Sequence, residues 1–409
     1  MEAMKLTVFI LFGLFIGASP SAFPLMAQDI TLKGRVVDRE SKAPLSYVTV
    51  FVNNTSTGTV ANENGLFELK MAAGRHELVL SLMGYENLVF ANDFSGDLPH
   101  FVFQMTPKPI DLSEWQVDGE RSQEWYDNFR IFESYFLGNS RFALGCDIIN
   151  PEVLVIDFAQ SVLKVHSTDF LIIENHQLGY RISYLLTSFE LDTAKRKFHY
   201  LGYPRYTEME GGKMKKRRWE KNRSSAYLGS WLHFKRSLRD RTTNKSGFEV
   251  KKIEQVPNPD RPSEKVISEA RQQLDATKDS EFGIFRDSLS AIVKKESLPK
   301  MIPKVGSVLL NEEDYSKVVD GEVLLEFADY LEVTYVAGKV GREFARLFVP
   351  GQAPKPPYPI STMSQLSPVV IYPTGLESDP LSVFLEGYWS WQRMGDALPI
   401  DYKFTEETN

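Results

Sequence analysis

Apolar and polar residues alternate in short runs through the first quarter of the chain. Ile30, Leu32 and Val36 share one parity, while Thr31, Lys33 and Arg35 take the other. Val48, Val50 and Val52 repeat the pattern, followed by Phe67 and Leu69, by Leu78, Leu80 and Leu82, and by Phe101, Phe103 and Met105. A period of two places each set on one face of a strand. With Gly, Asn and Pro turn signals between them, these runs predict a small β-sandwich.

Beyond Thr106-Pro107-Lys108-Pro109, which reads as a stiff linker, the period changes. Trp125, Phe129, Phe132 and Phe136 lie at i, i+4, i+7 and i+11, predicting an amphipathic helix over about 120–137. Such a stripe can serve as a ligand platform, but it more often docks a helix on a core. From Glu152 to Met209 the period returns to two. Strands are expected at Val153–Ile156, Val162–Val165, Phe170–Ile173, Tyr180–Leu186 and Phe198–Leu201, with turns at Asn175 and Gly179. These runs are shorter and fewer than a transmembrane barrel of at least eight strands of about 9–11 residues requires. The chain also ends in Glu406-Glu407-Thr408-Asn409 instead of an aromatic residue. A membrane barrel is therefore not expected.

A basic zone opens with Lys213, Lys215, Lys216, Arg217, Arg218 and Trp219, and continues through Lys221, Arg223, Lys235, Arg236, Arg239 and Arg241. A helix is expected over Ala226–Leu238, with Tyr227, Trp231, Phe234 and Leu238 on its apolar face. Cations interleaved with aromatics suit an anionic glycan, a lipid headgroup or an acidic partner, although a solvated face is the commoner meaning of such a run. Val256–Lys300 is a polar interlude with helices expected over Ser263–Ala276, capped by Ser263, and over Phe282–Lys295. It reads as a mobile connector or an inserted helical hairpin. Strands return at Val323–Phe327, Leu331–Val336 and, after the Pro-rich loop 350–359, Val369–Tyr372. Near the end, Gly387-Tyr388-Trp389-Ser390-Trp391 offers aromatics that could stack on a sugar ring or seal a domain edge.

The stretches Gly34-Arg35-Val36-Val37-Asp38, Pro44-Leu45, Val48-Thr49-Val50, Gly58-Thr59 and Asn62-Glu63-Asn64-Gly65-Leu66-Phe67 together resemble the carboxypeptidase-regulatory-like (prealbumin-like) module. That module is abundant in Bacteroidetes envelope proteins, including the N-termini of outer-membrane nutrient receptors. The resemblance implies a sandwich fold and an envelope setting, and assigns no activity. Gly58 and Gly65 suit turn positions with positive φ. Asn150-Pro151-Glu152-Val153-Leu154, Ala226-Tyr227-Leu228-Gly229-Ser230 with His233-Phe234, and Gly387-Tyr388-Trp389 resemble stretches of Bacteroidetes proteins that carry this module.

The 409 residues suffice for two or three domains, and 43% hydrophobic with 25% charged residues is ordinary for globular protein. A net charge of −7 argues against nucleic acid as a partner. Lys5 followed by the apolar run Leu6–Ile16 predicts an export signal, with Ala27-Gln28 as cleavage point and an uncleaved anchor as the alternative. Cys146 is the only cysteine, so no internal disulfide framework or thiolate metal site is expected. In its apolar setting it reads as a buried small hydrophobe.

A zinc peptidase would need His-x-x-Glu, and none of His76, His100, His166, His176, His199 or His233 has Glu three residues on. Nucleophile elbows, Walker loops and dinucleotide fingerprints are also missing. A carboxylate pair for glycan hydrolysis remains open, with Asp157, Glu174 and Glu190 as candidates.

The sequence therefore predicts a mainly β protein whose second part is α+β. The expected divisions are a signal peptide (1–27), a carboxypeptidase-regulatory-like sandwich (28–106), a linker (107–119), an α+β region (120–253), a polar helical connector (254–304) and a strand-rich C-terminal region (305–409). A sheet shared between 305–409 and 120–253 is an open alternative. The expected role is non-catalytic binding or scaffolding in the periplasm or at the outer membrane, without cofactor or metal. The partner would be an envelope protein or glycan, with peripheral outer-membrane association. Lys215, Lys216, Arg217, Arg218, Trp219, Trp389 and Trp391 are the candidate binding residues, and a carboxylate hydrolase of envelope glycan or peptide is the alternative.

Overall fold

A computed structural model describes residues 29–108, 121–276, 283–347 and 357–405. The predicted export signal, most of the predicted linker, the start of the Pro-rich loop and the last four residues lie outside them. The described chain is strand-rich with a sandwich at its N-terminal end, and the expected fold class holds.

The sandwich is built from β1 (Asp29–Asp38), β2 (Thr49–Val52), β3 (Gly58–Val60), β4 (Leu66–Ala72), β5 (Gly74–Ser81), β6 (Leu88–Phe94) and β7 (Phe101–Met105). One sheet runs β4-β1-β7 and the other β3-β2-β5-β6. The in-phase residues predicted from sequence, among them Leu32, Val36, Val50, Leu69, Leu78 and Phe103, meet between the sheets. Asn62 organises the turn before β4, its Oδ1 accepting from the amides of Asn64 and Leu66 at 3.0 Å each. Gly65 closes that turn at φ +70°, where a Cβ would stand 2.4 Å from the Val36 carbonyl oxygen. Gly58 departs from expectation: it lies in β3 outside the positive-φ residues, where a Cβ would lie 2.8 Å from Arg205 Nε and 3.0 Å from Phe51 Cβ.

The sandwich is not a bead on a string. Phe51 and Val79, out of phase with the inner face, pack with Leu185 of the following region, beside Phe170 and Tyr203. Asp401 accepts from the Ser56 amide and hydroxyl, and the Ile400 amide donates to the Asn54 carbonyl.

The second region holds α1 (Gln123–Leu137), β8 (Cys146–Ile148), β9 (Leu154–Ala159), β10 (Val162–Ser167), β11 (Leu171–Asn175), β12 (Tyr180–Asp192) and β13 (Lys197–Glu208). β12 is the spine. β13 lies along one edge, while β11 pairs with its first half and β10 with its second. At 13 and 12 residues, β12 and β13 exceed the runs expected from sequence, so the shortness argued against a barrel does not hold for them. The sheet is nevertheless open, since β8 and β9 end it and neither pairs with β13 among the described residues. Helix α1, started by the Ser122 hydroxyl accepting from the Trp125 amide, lays Phe132 and Phe136 against Phe189 and Tyr184. The stripe is core. Cys146 packs against this core, and burial pushes its thiol up to about 12.

The remaining elements are α2 (Lys213–Tyr227), α3 (Trp231–Arg239), β14 (Phe248–Pro257), α4 (Glu264–Ala276), α5 (Gly283–Lys294), β15 (Met301–Leu309), β16 (Ser316–Val319), β17 (Glu322–Leu325), β18 (Tyr330–Tyr335), α6 (Arg342–Ala345), β19 (Ile360–Gln365), β20 (Val369–Ile371), β21 (Val383–Gly387) and α7 (Tyr388–Trp391). One sheet runs β15-β14-β18-β19-β21, and β16-β17-β20 forms a smaller one.

Two expectations are corrected here. The single helix over Ala226–Leu238 is broken at Gly229 (φ +78°), and α3 restarts with the Ser230 hydroxyl accepting from the His233 amide. Tyr227 consequently joins the β12 core, while Phe234 and Leu238 enter the core under β14 and β18. The boundary at residue 253 also falls inside β14. Val256 pairs with Ile302 and Pro257 with Met301, so 254–304 is not a connector but a helical hairpin, α4–α5, inserted between paired strands. β14 itself pairs with β15 on one side and β18 on the other.

Candidate functional site

Where the β12 unit meets the β18 sheet, the surface opens into a cleft of about 520 Å³. Ser140, Arg141 and Phe142 form one wall, in a turn tied by the amides of Phe142 and Ala143 donating to Ser140 Oγ. Ser225 and Leu228, at the end of α2, continue it. The other wall is the stretch after β18 with α6 and α7, contributing Lys339, Arg342, Glu343, Tyr388 and Trp391.

Gly387, at φ +72°, turns the chain from β21 into α7, where a Cβ would sit 2.6 Å from the Ile360 carbonyl oxygen. The rings of Tyr388, Trp391 and Phe344 then cluster with centroids 5.1–5.6 Å apart. Trp391 is only partly buried and lines the opening. Arg141 donates from Nη2 to Ser225 Oγ at 2.7 Å, with its guanidinium 4.6 Å from the Phe142 ring centroid. Arg141, Lys339 and Arg342 are exposed and form no ion pair among the described residues. A mouth with unpaired cations beside aromatic plates is suited to anionic ligands that also carry a flat apolar face.

Asp396 stands at the floor, buried and bonded to Ser140 and the Arg393 amide. Burial pushes its carboxyl up to about 7, against the pull of those hydrogen bonds and the nearby Arg141 and Arg393 charges. Burial also pushes the Tyr388 phenol up to about 12.

Of the residues singled out from sequence, Trp391 is in the cleft. Trp389 is not, because residues two apart on a helix point about 200° apart, to opposite sides. It is buried, donating from Nε1 to the Gly229 carbonyl at 2.9 Å and packing on Trp231 and Phe234. Trp219 is likewise core, its Nε1 bonded to the His176 carbonyl and its ring filling the space left by Gly179. In both, the N–H of the buried indole is satisfied by a backbone carbonyl. Lys215, Lys216, Arg217 and Arg218 are exposed on the first turns of α2.

Much of the remaining basic zone is consumed internally. Arg223 donates to the carbonyls of Leu178 and Gly179, Lys235 to Glu377, Arg236 to the carbonyls of Ile400 and Tyr402, and Arg241 to Glu313. Arg141, Lys339 and Arg342 escaped the sequence reading, being isolated cations in unrelated stretches with no local signature.

The three candidate carboxylates do not converge. Asp157 and Glu190 flank Lys164 across neighbouring strands, whereas Glu174 pairs with Arg181 at the other end of β12. No cluster of three or more potential metal ligands occurs among the described residues. Burial lowers the pKa of both His76 and His233, the latter to about 4.

Residues 32–117 match the CarboxypepD_reg-like domain family. That confirms the resemblance read from Gly34 to Phe67 and leaves the rest of the chain unassigned. Among curated proteins, none matches the chain. Three solved structures are similar in part. A type II cohesin–X-dockerin complex from Acetivibrio cellulolyticus is 20% identical, covering 26% of this chain and 75% of that one, with a TM-score of 0.18. A DUF3823 family protein from Bacteroides ovatus is 10% identical over 45% of this chain and 83% of that one, with a TM-score of 0.16. A Bacteroides fragilis protein of unknown function, described as membrane-associated, is 9% identical over 88% and 94% of the respective chains, with a TM-score of 0.15. Superpositions this weak carry no functional argument.

Proposed function

We propose that the chain is an exported, non-catalytic binding protein of the cell envelope, holding an acidic glycan in the cleft between the β12 and β18 sheets. The observation that carries this reading is the grouping of Arg141, Lys339 and Arg342 with Tyr388 and Trp391 around one opening. An aromatic plate accepts the C–H face of a sugar ring, and a guanidinium pairs with a carboxylate in two parallel hydrogen bonds. Neither contact requires a metal or a cofactor. The leader-like start of the sequence and the CarboxypepD_reg-like domain support an envelope setting.

The test is calorimetric titration of the purified protein with acidic and neutral oligosaccharides. Acidic sugars should bind and neutral analogues should not. Charge-assisted bonds contribute roughly 1.5–3 kcal/mol, so Arg342→Gln should weaken binding by about tenfold or more, and Trp391→Ala by a similar factor. If acidic and neutral sugars bind alike, or both variants bind like the parent, the reading fails.

One observation favours a second reading. Glu343 and Asp396 line the same cleft, and Asp396 keeps its proton to about pH 7, as a general acid requires. Turnover of a bound glycan that is lost in both Glu343→Gln and Asp396→Asn would move the cleft from recognition to hydrolysis.

A further inference from the structure

Helix α2 has its own relation to the cleft. Its docked side is marked by the buried residues Trp219, Arg223, Ala226 and Tyr227. At 3.6 residues per turn, Met214, Arg217, Arg218, Lys221 and Ser225 fall together on the opposite side, and all five are exposed. Arg217, Arg218 and Lys221 form no ion pair among the described residues, in contrast to the cations farther along, which the fold uses. Ser225 ends this stripe. It lines the cleft and accepts the hydrogen bond from Arg141, so the stripe and the cleft wall form one continuous cationic surface.

Folding gives no reason for this placement. Arg217, Arg218 and Lys221 stand in the second and third turns of α2, where like charges spaced three and four residues apart repel one another and oppose helix formation. A bound polyanion would remove that repulsion. A flat anionic membrane fits less well, because the stripe leads into a concave opening walled by Tyr388 and Trp391, which a planar headgroup surface cannot follow.

We infer that the ligand is an extended polyanionic glycan, lying along α2 across Arg217, Arg218 and Lys221 with one end seated in the cleft. This rests on the cleft reading above and adds the ligand's length and direction. At 1.5 Å per residue, Arg217 lies about 12 Å along the helix from Ser225, so a short acidic sugar in the cleft cannot reach it and a longer chain can.

The experiment is calorimetric titration of the full protein with size-defined oligogalacturonides, from dimer to octamer, at two salt concentrations. Affinity should rise at least tenfold from dimer to octamer, and added salt should weaken the octamer more than the dimer, because more charge pairs are screened. The triple variant Arg217→Gln/Arg218→Gln/Lys221→Gln, shown to be folded by circular dichroism, should bring the octamer down to the dimer's affinity. Equal affinity at all lengths, or a length gain that survives in the triple variant, overturns the stripe while the cleft reading stands. Binding at no length overturns both. Capture by phosphatidylglycerol vesicles that depends on the three cations, with no length gain for the oligomers, reassigns the stripe to a lipid surface.

Discussion

Replacing Asp396 by Asn should change how stability depends on pH, with a sign opposite to that of most native carboxylates. The Asp396 carboxyl is raised from 3.8 to about 7 by burial beneath the cleft. Between those values the folded protein holds a proton that the unfolded chain has released. The stability it supports is thus complete below about pH 4, falls as pH rises through the window, and levels off above 7. A pKa change of this size corresponds to about 4 kcal/mol. Asn keeps an oxygen to accept from the Arg393 amide and a polar group for Ser140, but has no charge to bury. The buried His76 and the half-buried His233 act in the opposite direction, since their lowered pKa values make stability fall as pH drops below about 6.5. The informative quantity is therefore the difference between parent and variant. Urea denaturation of both at intervals from pH 4.5 to 8.5 should show Asp396→Asn gaining about 3 kcal/mol relative to the parent across the range. A difference that stays constant within about 0.5 kcal/mol, or that moves the other way, would refute the assignment of a buried, proton-holding carboxyl.

Three further outcomes are expected. Gly179→Ala puts a Cβ 2.1 Å from the Trp219 ring at a φ of +71°, so urea titration should show a loss of about 3 kcal/mol from backbone strain and overpacking together; a loss below about 0.5 kcal/mol would mean Trp219 is not clamped there. Lys235→Met leaves the buried Glu377 carboxylate without the ammonium 2.6 Å away and should cost about 3–5 kcal/mol, much of it recovered in Lys235→Met/Glu377→Leu; an equally unstable double variant would contradict this. Replacing residues 259–299 by a short Gly-containing turn should cost no more than about 1 kcal/mol, a Tm change of roughly 2–4 °C by calorimetry, because the Asn258 amide already donates to the Lys300 carbonyl and β14 pairs directly with β15. Loss of cooperative unfolding would instead make the hairpin part of the core.

Some residues of the candidate site were legible in the linear chain, and the reasons are local. The exposed cations of α2 stand within one run, and Trp391 lies in a conspicuous aromatic cluster. Arg141, Lys339 and Arg342 did not stand out, because each acquires meaning only beside the others across some 200 residues of sequence. β15 was hidden for a different reason. It is an edge strand exposed along most of its length, so no buried face imposes a two-residue period.

What the sequence by itself determined is what near neighbours decide: the inner face of the sandwich, the Asn62–Gly65 turn and the aromatic face of α1. Each is governed by backbone periodicity or turn stereochemistry within a few residues. Only the tertiary structure decided that Phe51 and Val79 pack against Leu185 of β12, that Trp219 and Trp389 are core while Trp391 faces a cleft, and that β12 and β13 run beyond their apolar stretches. In each case the deciding partner comes from a remote part of the chain, and burial depends on that partner as much as on the residue's own chemistry.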